Sequence, residues 1–96
     1  MGYRLSRDAD EDISSIAMVG IEEFGIEQAR RYHDGLFQLF DLLADNPKMA
    51  RERLEIDPPV RVHPYQSHVV IYRIEGPDIL IIRVRHGRED WISEVV

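Results

Sequence analysis

The sequence predicts an α+β fold, a helical hairpin packed on a small, mostly antiparallel sheet, in the order β-α-α-β-β-β. Three observations predict it. Two stretches with apolar residues at helical spacing lie back to back, separated only by Gly25. The last third is rich in alternating β-branched residues and is broken at Gly76-Pro77. The chain also opens on a short alternating segment, "YRLS". Ninety-six residues suffice for one domain, 1–96, with no repeat or low-complexity stretch to divide it.

Each element has a local reason. "YRLS" is an edge strand by its alternation, and Ser6 suits a helix N-cap. Asp8, Asp10, Glu11 and Asp12 follow in the first turns, where carboxylates interact favourably with the helix dipole. Ile13, Ile16, Ala17, Gly20, Ile21 and Phe24 then recur on one face, and Gly25 closes the helix as its C′ residue. A glycine inside a helix costs about 1 kcal/mol relative to alanine. Gly20 on the apolar face therefore predicts close approach by another element. The second helix runs from Ile26 to Asp45, with Ala29, Tyr32, His33, Leu36, Leu39, Phe40 and Leu43 facing inward. Asp45-Asn46-Pro47 ends it, because the residue before a proline avoids the α region. So short a connection between the helices makes them an antiparallel hairpin. Lys48 to Pro59 reads as a polar loop with room for one helical turn, and strands follow at Val60–Pro64, His68–Ile74 and Ile79–His86. Gly76-Pro77 joins the last two as a hairpin.

If Glu75 and Asp78 flank a two-residue turn, cross-strand partners have numbers summing to 153, and side chains alternate between the faces. Leu80, Ile82, Val84 and His86 then share a face with Arg73, Ile71, Val69 and Ser67. This aliphatic set is the one expected to cover the helices. The other face joins Ile79, Ile81, Arg83 and Arg85 to Ile74, Tyr72, Val70 and His68. It is apolar near the turn and basic at the far end. Val70, Tyr72 and Ile81 are expected to form a half-exposed apolar strip beside Arg83 and Arg85, the kind of surface a partner covers.

The charges are segregated. The chain carries a net −6, but residues 58–88 hold five arginines against Glu75 and Asp78. An acidic total disfavours non-specific nucleic-acid binding. The local basic set either pairs with the chain's own carboxylates or meets an acidic partner, and the sequence leaves both open. The absence of cysteine excludes disulfides and Cys-type zinc sites. No apolar run approaches the roughly 20 residues of a membrane helix, and the N-terminus lacks a signal-peptide apolar region. A cytoplasmic protein without metal or cofactor is the expectation. His63, His68 and His86 do not make a metal site in this register, which puts His68 and His86 on opposite faces. His33 reads as a structural histidine, and Arg30 and Arg31 as a solvated helix face. Phosphate loops and nucleophile contexts are missing. One catalytic set survives: His86 as general acid or base, with Arg83, Arg85 and Arg88 stabilising phosphoryl charge on RNA.

Taken in order, "YRLS…DI..I", "EQARRY", "LADNP", "SHVVIYRI" and "ILIIRVRHGRED" resemble the ParE branch of the RelE/ParE toxin superfamily, over nearly the whole chain. The resemblance implies the toxin of a type II toxin–antitoxin module, of the kind also labelled plasmid-stabilisation proteins, with a cognate ParD-like antitoxin as partner. It implies DNA gyrase as target, without enzymatic activity of its own. The alternative is ribosome-dependent mRNA cleavage of the RelE/YoeB type, for which Arg61, Arg83 and His86 imitate part of the basic set. After His86, however, the chain has no tyrosine and carries Glu89, Asp90 and Glu94, which repel an RNA backbone. The expected target-binding residues are Arg85, Arg88 and Trp91. The expected antitoxin-binding residues are Val70, Tyr72, Ile81, Arg83 and Arg85. Trp91 has a second reading as the cap of a core edge.

Overall fold

The computed structural model describes residues 2–95. Its elements are β1 (Tyr3–Leu5), α1 (Arg7–Phe24), α2 (Ile26–Asp45), β2 (Glu52–Arg53), β3 (Val60–Tyr65), β4 (His68–Glu75), β5 (Asp78–His86) and α3 (Ile92–Val95). The predicted order holds. The additions are the two-residue β2, inside the stretch expected to be loop, and the short α3. Five strands form one sheet in the order β1-β5-β4-β3-β2. β1 runs parallel to β5, and the other neighbours are antiparallel.

The expected helix boundaries follow from their caps. Ser6 Oγ accepts the Ala9 N–H at 3.0 Å and donates to the Ile82 carbonyl at 2.7 Å. The N-cap thus ties α1 to β5 as well as satisfying an orphan donor. Gly25, at φ 89°, turns the chain from α1 to α2, and its N–H bonds the Ile21 carbonyl at 3.1 Å. Only glycine reaches this conformation without strain.

The β4–β5 ladder corrects the sheet faces read from the sequence. Tyr72 lies opposite Ile81 as expected, but Ile71 lies opposite Arg83, so Ile82 is an extra residue on β5. A β-bulge of this kind advances the phase of the strand by one. Partners sum to 153 near the turn and to 154 beyond it. Val84 consequently joins Ile79, Ile81, Val70 and Tyr72 on the face under the helices. Ile71, Val69 and Ile82 belong to the opposite face, where they pack with Ile56, Val60, Val62 and Trp91. The expected half-exposed strip does not exist. Val70, Tyr72 and Ile81 are fully buried, against Leu36, Phe40 and Leu43 of α2 and Ile13 of α1.

Two helical glycines mark close approaches. A Cβ on Gly20 would sit 3.3 Å from the Ala29 Cβ, so the glycine expected to admit another element admits α2. Gly35 is the sharper case, because its Cβ would overlap Tyr65 Oη. That hydroxyl donates to the Tyr32 carbonyl at 2.8 Å, pinning the β3–β4 turn to α2.

Gly35→Ala should therefore destabilise the fold by about 1 kcal/mol in urea titration, overpacking outweighing the propensity gain. In a Tyr65→Phe background, which itself forfeits the hydrogen bond to the Tyr32 carbonyl, the same Gly35→Ala change should cost less. Stabilisation by Gly35→Ala alone, as helix propensity predicts, would refute this account of the contact.

Candidate functional site

The arginines of β5 are held by a carboxylate the sequence reading assigned only to the helix dipole. Asp12, on α1 and 8% exposed, accepts from Arg83 Nε at 2.8 Å and from its Nη2 at 2.9 Å. Arg85 Nη1 donates to the same carboxylate at 3.1 Å, and the Val84 N–H at 3.0 Å. Arg85 also pairs with Glu89. Burial alone would raise the Asp12 carboxyl. The hydrogen bonds from Arg83 and the Val84 amide, with the charges of both guanidiniums, outweigh burial and hold it below the usual carboxylate range. Of the two readings left open, internal pairing is the one present. The sequence signal for it was the position of Asp12, three residues after Ala9 and one before Ile13, at the margin of the core face.

The bulge also assembles a polar cluster at the far end of the sheet. His68 and His86 lie directly across from each other, with ring centroids 5.4 Å apart, and not on opposite faces as the unbulged register required. Tyr32 Oη hydrogen-bonds His68 Nδ1 and lies at a longer 3.4 Å from the Tyr65 carbonyl. His86 Nδ1 accepts the Arg88 N–H at 3.2 Å, and the His86 N–H donates to Glu89 at 3.0 Å. Burial first, and then the neighbouring His86, push the His68 pKa down, with Glu89 opposing. Burial and the neighbouring His86 thus favour the neutral form of His68, whose Nδ1 shares a hydrogen bond with the Tyr32 hydroxyl. Tyr32, Tyr65, His68 and His86 line a groove of about 940 Å³ between the helical hairpin and the sheet, together with Ile16, Val19, Phe24 and Leu36.

The other expected site residues are dispersed. Arg61 donates to the Ala50 carbonyl at 2.7 Å and pairs with Tyr72, whereas His86 pairs with His68. Those ladder positions are four residues apart, roughly 13 Å, so Arg61 and His86 do not share a site. Arg83 is committed to Asp12. The catalytic set read from the sequence is thus not brought together, although His86 gains His68 and Tyr32 instead. Arg88 is exposed. Trp91 closes the second apolar cluster, with the Arg53 guanidinium 5.6 Å from its ring centroid, so its reading as a core-edge cap describes its packing. His33 stacks on Phe37, with centroids 4.5 Å apart. His63 hydrogen-bonds the Pro64 carbonyl.

The architecture is a helical hairpin packed on one face of a five-stranded, mostly antiparallel sheet. Its fold matches a solved chain from "Chromosomal ParDE TA system from P. aeruginosa", with a TM-score of 0.77, 20% identity, and 90% of this chain and 95% of that one covered. The family model described as "ParE toxin of type II toxin-antitoxin system, parDE" matches residues 3–91. "Toxin ParE1" of Caulobacter vibrioides is 36% identical over 84 residues, covering 88% of this chain and 86% of the relative. "Toxin ParE1" of Mycobacterium tuberculosis is 33% identical over 89 residues, covering 92% and 91%. The chain belongs to the ParE toxin family of type II toxin–antitoxin systems.

Removing one partner of a buried ion pair leaves the other unpaired, a loss of about 3 kcal/mol or more. Asp12→Ala should cost that much in denaturant unfolding, far more than Arg4→Ala, whose partner Glu75 lies at the surface. The pH dependence has a definite sign. A carboxyl depressed in the fold stabilises above its unfolded pKa, near 4, and this contribution is lost as pH falls through the folded value. A histidine depressed in the fold, as at His68, contributes fully above about pH 6.5 and weakens the fold as pH falls below that. Stability should therefore decline in two windows. His68→Gln should flatten the upper one and Asp12→Asn the lower, as read by denaturation midpoints from pH 2 to 8.

Proposed function

We propose that this toxin acts on DNA gyrase by binding it, in the cytoplasm, and is neutralised by a ParD-like antitoxin. The observation that carries the reading is the Asp12 carboxylate, which accepts from Arg83 and Arg85 together. Arginines fixed in this way are poor candidates for stabilising phosphoryl charge that develops only in a transition state. The acidic stretch after His86 disfavours RNA in the same direction. The target face in this proposal is the rim where Arg88 and Trp91 stand beside the Arg85–Glu89 pair. The buried Val70, Tyr72 and Ile81 take no part in antitoxin contact, since reaching them means lifting the helices off the sheet.

A second reading, ribosome-dependent mRNA cleavage, is favoured by the His68–His86–Tyr32 cluster. Two imidazoles 5.4 Å apart, beside a phenol in the lining of an open groove, are groups of the right kind for proton transfer.

One comparison separates the two. Purified toxin should block supercoiling by gyrase in vitro, and His86→Ala should leave that block within about twofold. Arg88→Ala should weaken it by about tenfold or more if this exposed arginine is an interface hot spot. Cleavage of mRNA in a translating extract that His86→Ala abolishes, with supercoiling untouched by the parent protein, would establish the second reading and discard the first.

A further inference from the structure

Among the described residues, the hydrogen bonds and apolar packing that hold the chain after β5 fall at two places. The first is the turn over residues 86–89, its root. There the Gly87 N–H donates to the Ser67 carbonyl at 2.8 Å and the Glu89 N–H to the His86 carbonyl at 3.0 Å. The His86 N–H donates back to Glu89 Oε1 at 3.0 Å. The second place is Trp91, which packs with the half-buried Val62, Val69 and Ile82 on the sheet face away from the helices, beside the Arg53 guanidinium. Residues 87–90 between them are exposed, and the Ser93–Asp90 hydrogen bonds stay within the segment. A segment held this way opens more easily than the sheet beneath it.

His86 has a defined protonation state in that root. The Arg88 N–H donates to its Nδ1 at 3.2 Å, so Nδ1 carries no proton in this arrangement. An imidazolium has no acceptor. Protonation therefore sets a ring N–H against a backbone N–H. It also places a cation across the ladder from His68, whose ring centroid is 5.4 Å away. Removing the ring altogether is milder, because water can then take the Arg88 N–H. The neighbouring charges do not restore the turn. Glu89 attracts the imidazolium, but its oxygens already serve the His86 N–H and Arg85, so turning to the ring takes it from Arg85. On α1, Asp12 is engaged by Arg83 and Arg85, and Glu23 lies in the groove lining. On α2, Arg31 and His33 join that lining, and Tyr32 is bonded to His68. Tyr65 of β3 donates to the Tyr32 carbonyl. Asp12 and Glu89 both sit below the usual carboxylate range and stay charged across the interval in which imidazoles titrate. We propose that His86 is an acid-sensitive latch: unprotonated, it keeps residues 87–95 closed with Trp91 on the sheet, and protonated, it releases the root turn and lets Trp91 leave. Arg88 and Trp91 move together in this device. They form the target face proposed above, so acidification weakens that face; this consequence rests on the gyrase reading, and the latch itself does not.

Trp91 is the only tryptophan in the sequence and is therefore the reporter. Quenching of its fluorescence by acrylamide, in the full chain, should increase at least about twofold as pH falls from about 8 to about 5, the imidazole interval. The change should be reversible, with far-ultraviolet circular dichroism unchanged. His86→Asn keeps an acceptor near the Nδ1 position and takes up no proton, so its quenching should stay low throughout. His68→Gln should retain the response, which separates the two rings of the pair. A second measurement needs no variant: by nuclear magnetic resonance, the Arg88 amide should shift with the same midpoint as the quenching. Quenching that ignores pH, a response that survives in His86→Asn, or an Arg88 amide indifferent to pH would each overturn the proposal. Gyrase takes no part in the measurement, so failure of the latch leaves the target reading standing, and failure of that reading leaves the latch.

Discussion

One extra residue in β5 decides where the functional groups of this protein lie. Without the bulge at Ile82, strand alternation would carry Val84 away from the helices and His86 to the face opposite His68. With it, the strand changes phase between Ile81 and Arg83. Its first half supplies Ile79 and Ile81 to the core, and its second half supplies Val84 to the same core. The Val84 amide meets Asp12 on α1 at that point. Bulges of this kind re-aim side chains at the cost of one unpaired position. Here Ser6 makes use of the irregularity, because its hydroxyl donates to the Ile82 carbonyl while capping α1. Helix start, bulge and arginine network are therefore one construction.

That construction changes the meaning of the basic strand. Five arginines between residues 58 and 88 look like a surface addressed to an acidic partner. Three of them are engaged by neighbours in the fold: Arg61 by the Ala50 carbonyl, and Arg83 and Arg85 by Asp12. A fourth, Arg73, pairs with Glu75 at the surface. Desolvating a carboxylate is expensive, and only several simultaneous donors make it tolerable. Asp12 has four donor contacts from three residues. The strength of this arrangement lies in its directionality, since it fixes α1 against one specific pair of positions on β5.

Much of this was legible in the residues. Ser6, Gly25 and Asp45-Asn46-Pro47 each carry their own local chemistry, so both helices could be placed to the residue. Gly20 signalled the approach of Ala29 because an unexplained helical glycine needs a reason. The register near Gly76-Pro77 was legible for the same local cause. Its failure beyond Tyr72 has a physical explanation: no local sequence feature near Ile82 announces the bulge, which is stabilised by Ser6 and Asp12, more than 70 residues away. Everything phased from that point then moved, including the buried strip, the histidine pair and the partner of Arg83. Gly35 carries no such signal in its own neighbourhood, because its reason, Tyr65 Oη, comes from a strand thirty residues on. The short β2 was invisible because two residues carry no periodicity.

The parallel pairing of β1 with β5 has a kinetic implication. The backbone of β1 pairs with the strand that comes last in the sheet's sequence order, and the Ser6 N–H reaches the Ile81 carbonyl at 3.0 Å across the same seam. The helical hairpin and the β4–β5 hairpin close over short loops and can condense early, whereas this seam waits on a far larger loop closure. The first residues of the domain are thus stitched down after the rest has collapsed. Because that stitch also positions the start of α1, loop-closure entropy places the Asp12–Arg83 lock among the last contacts expected to form.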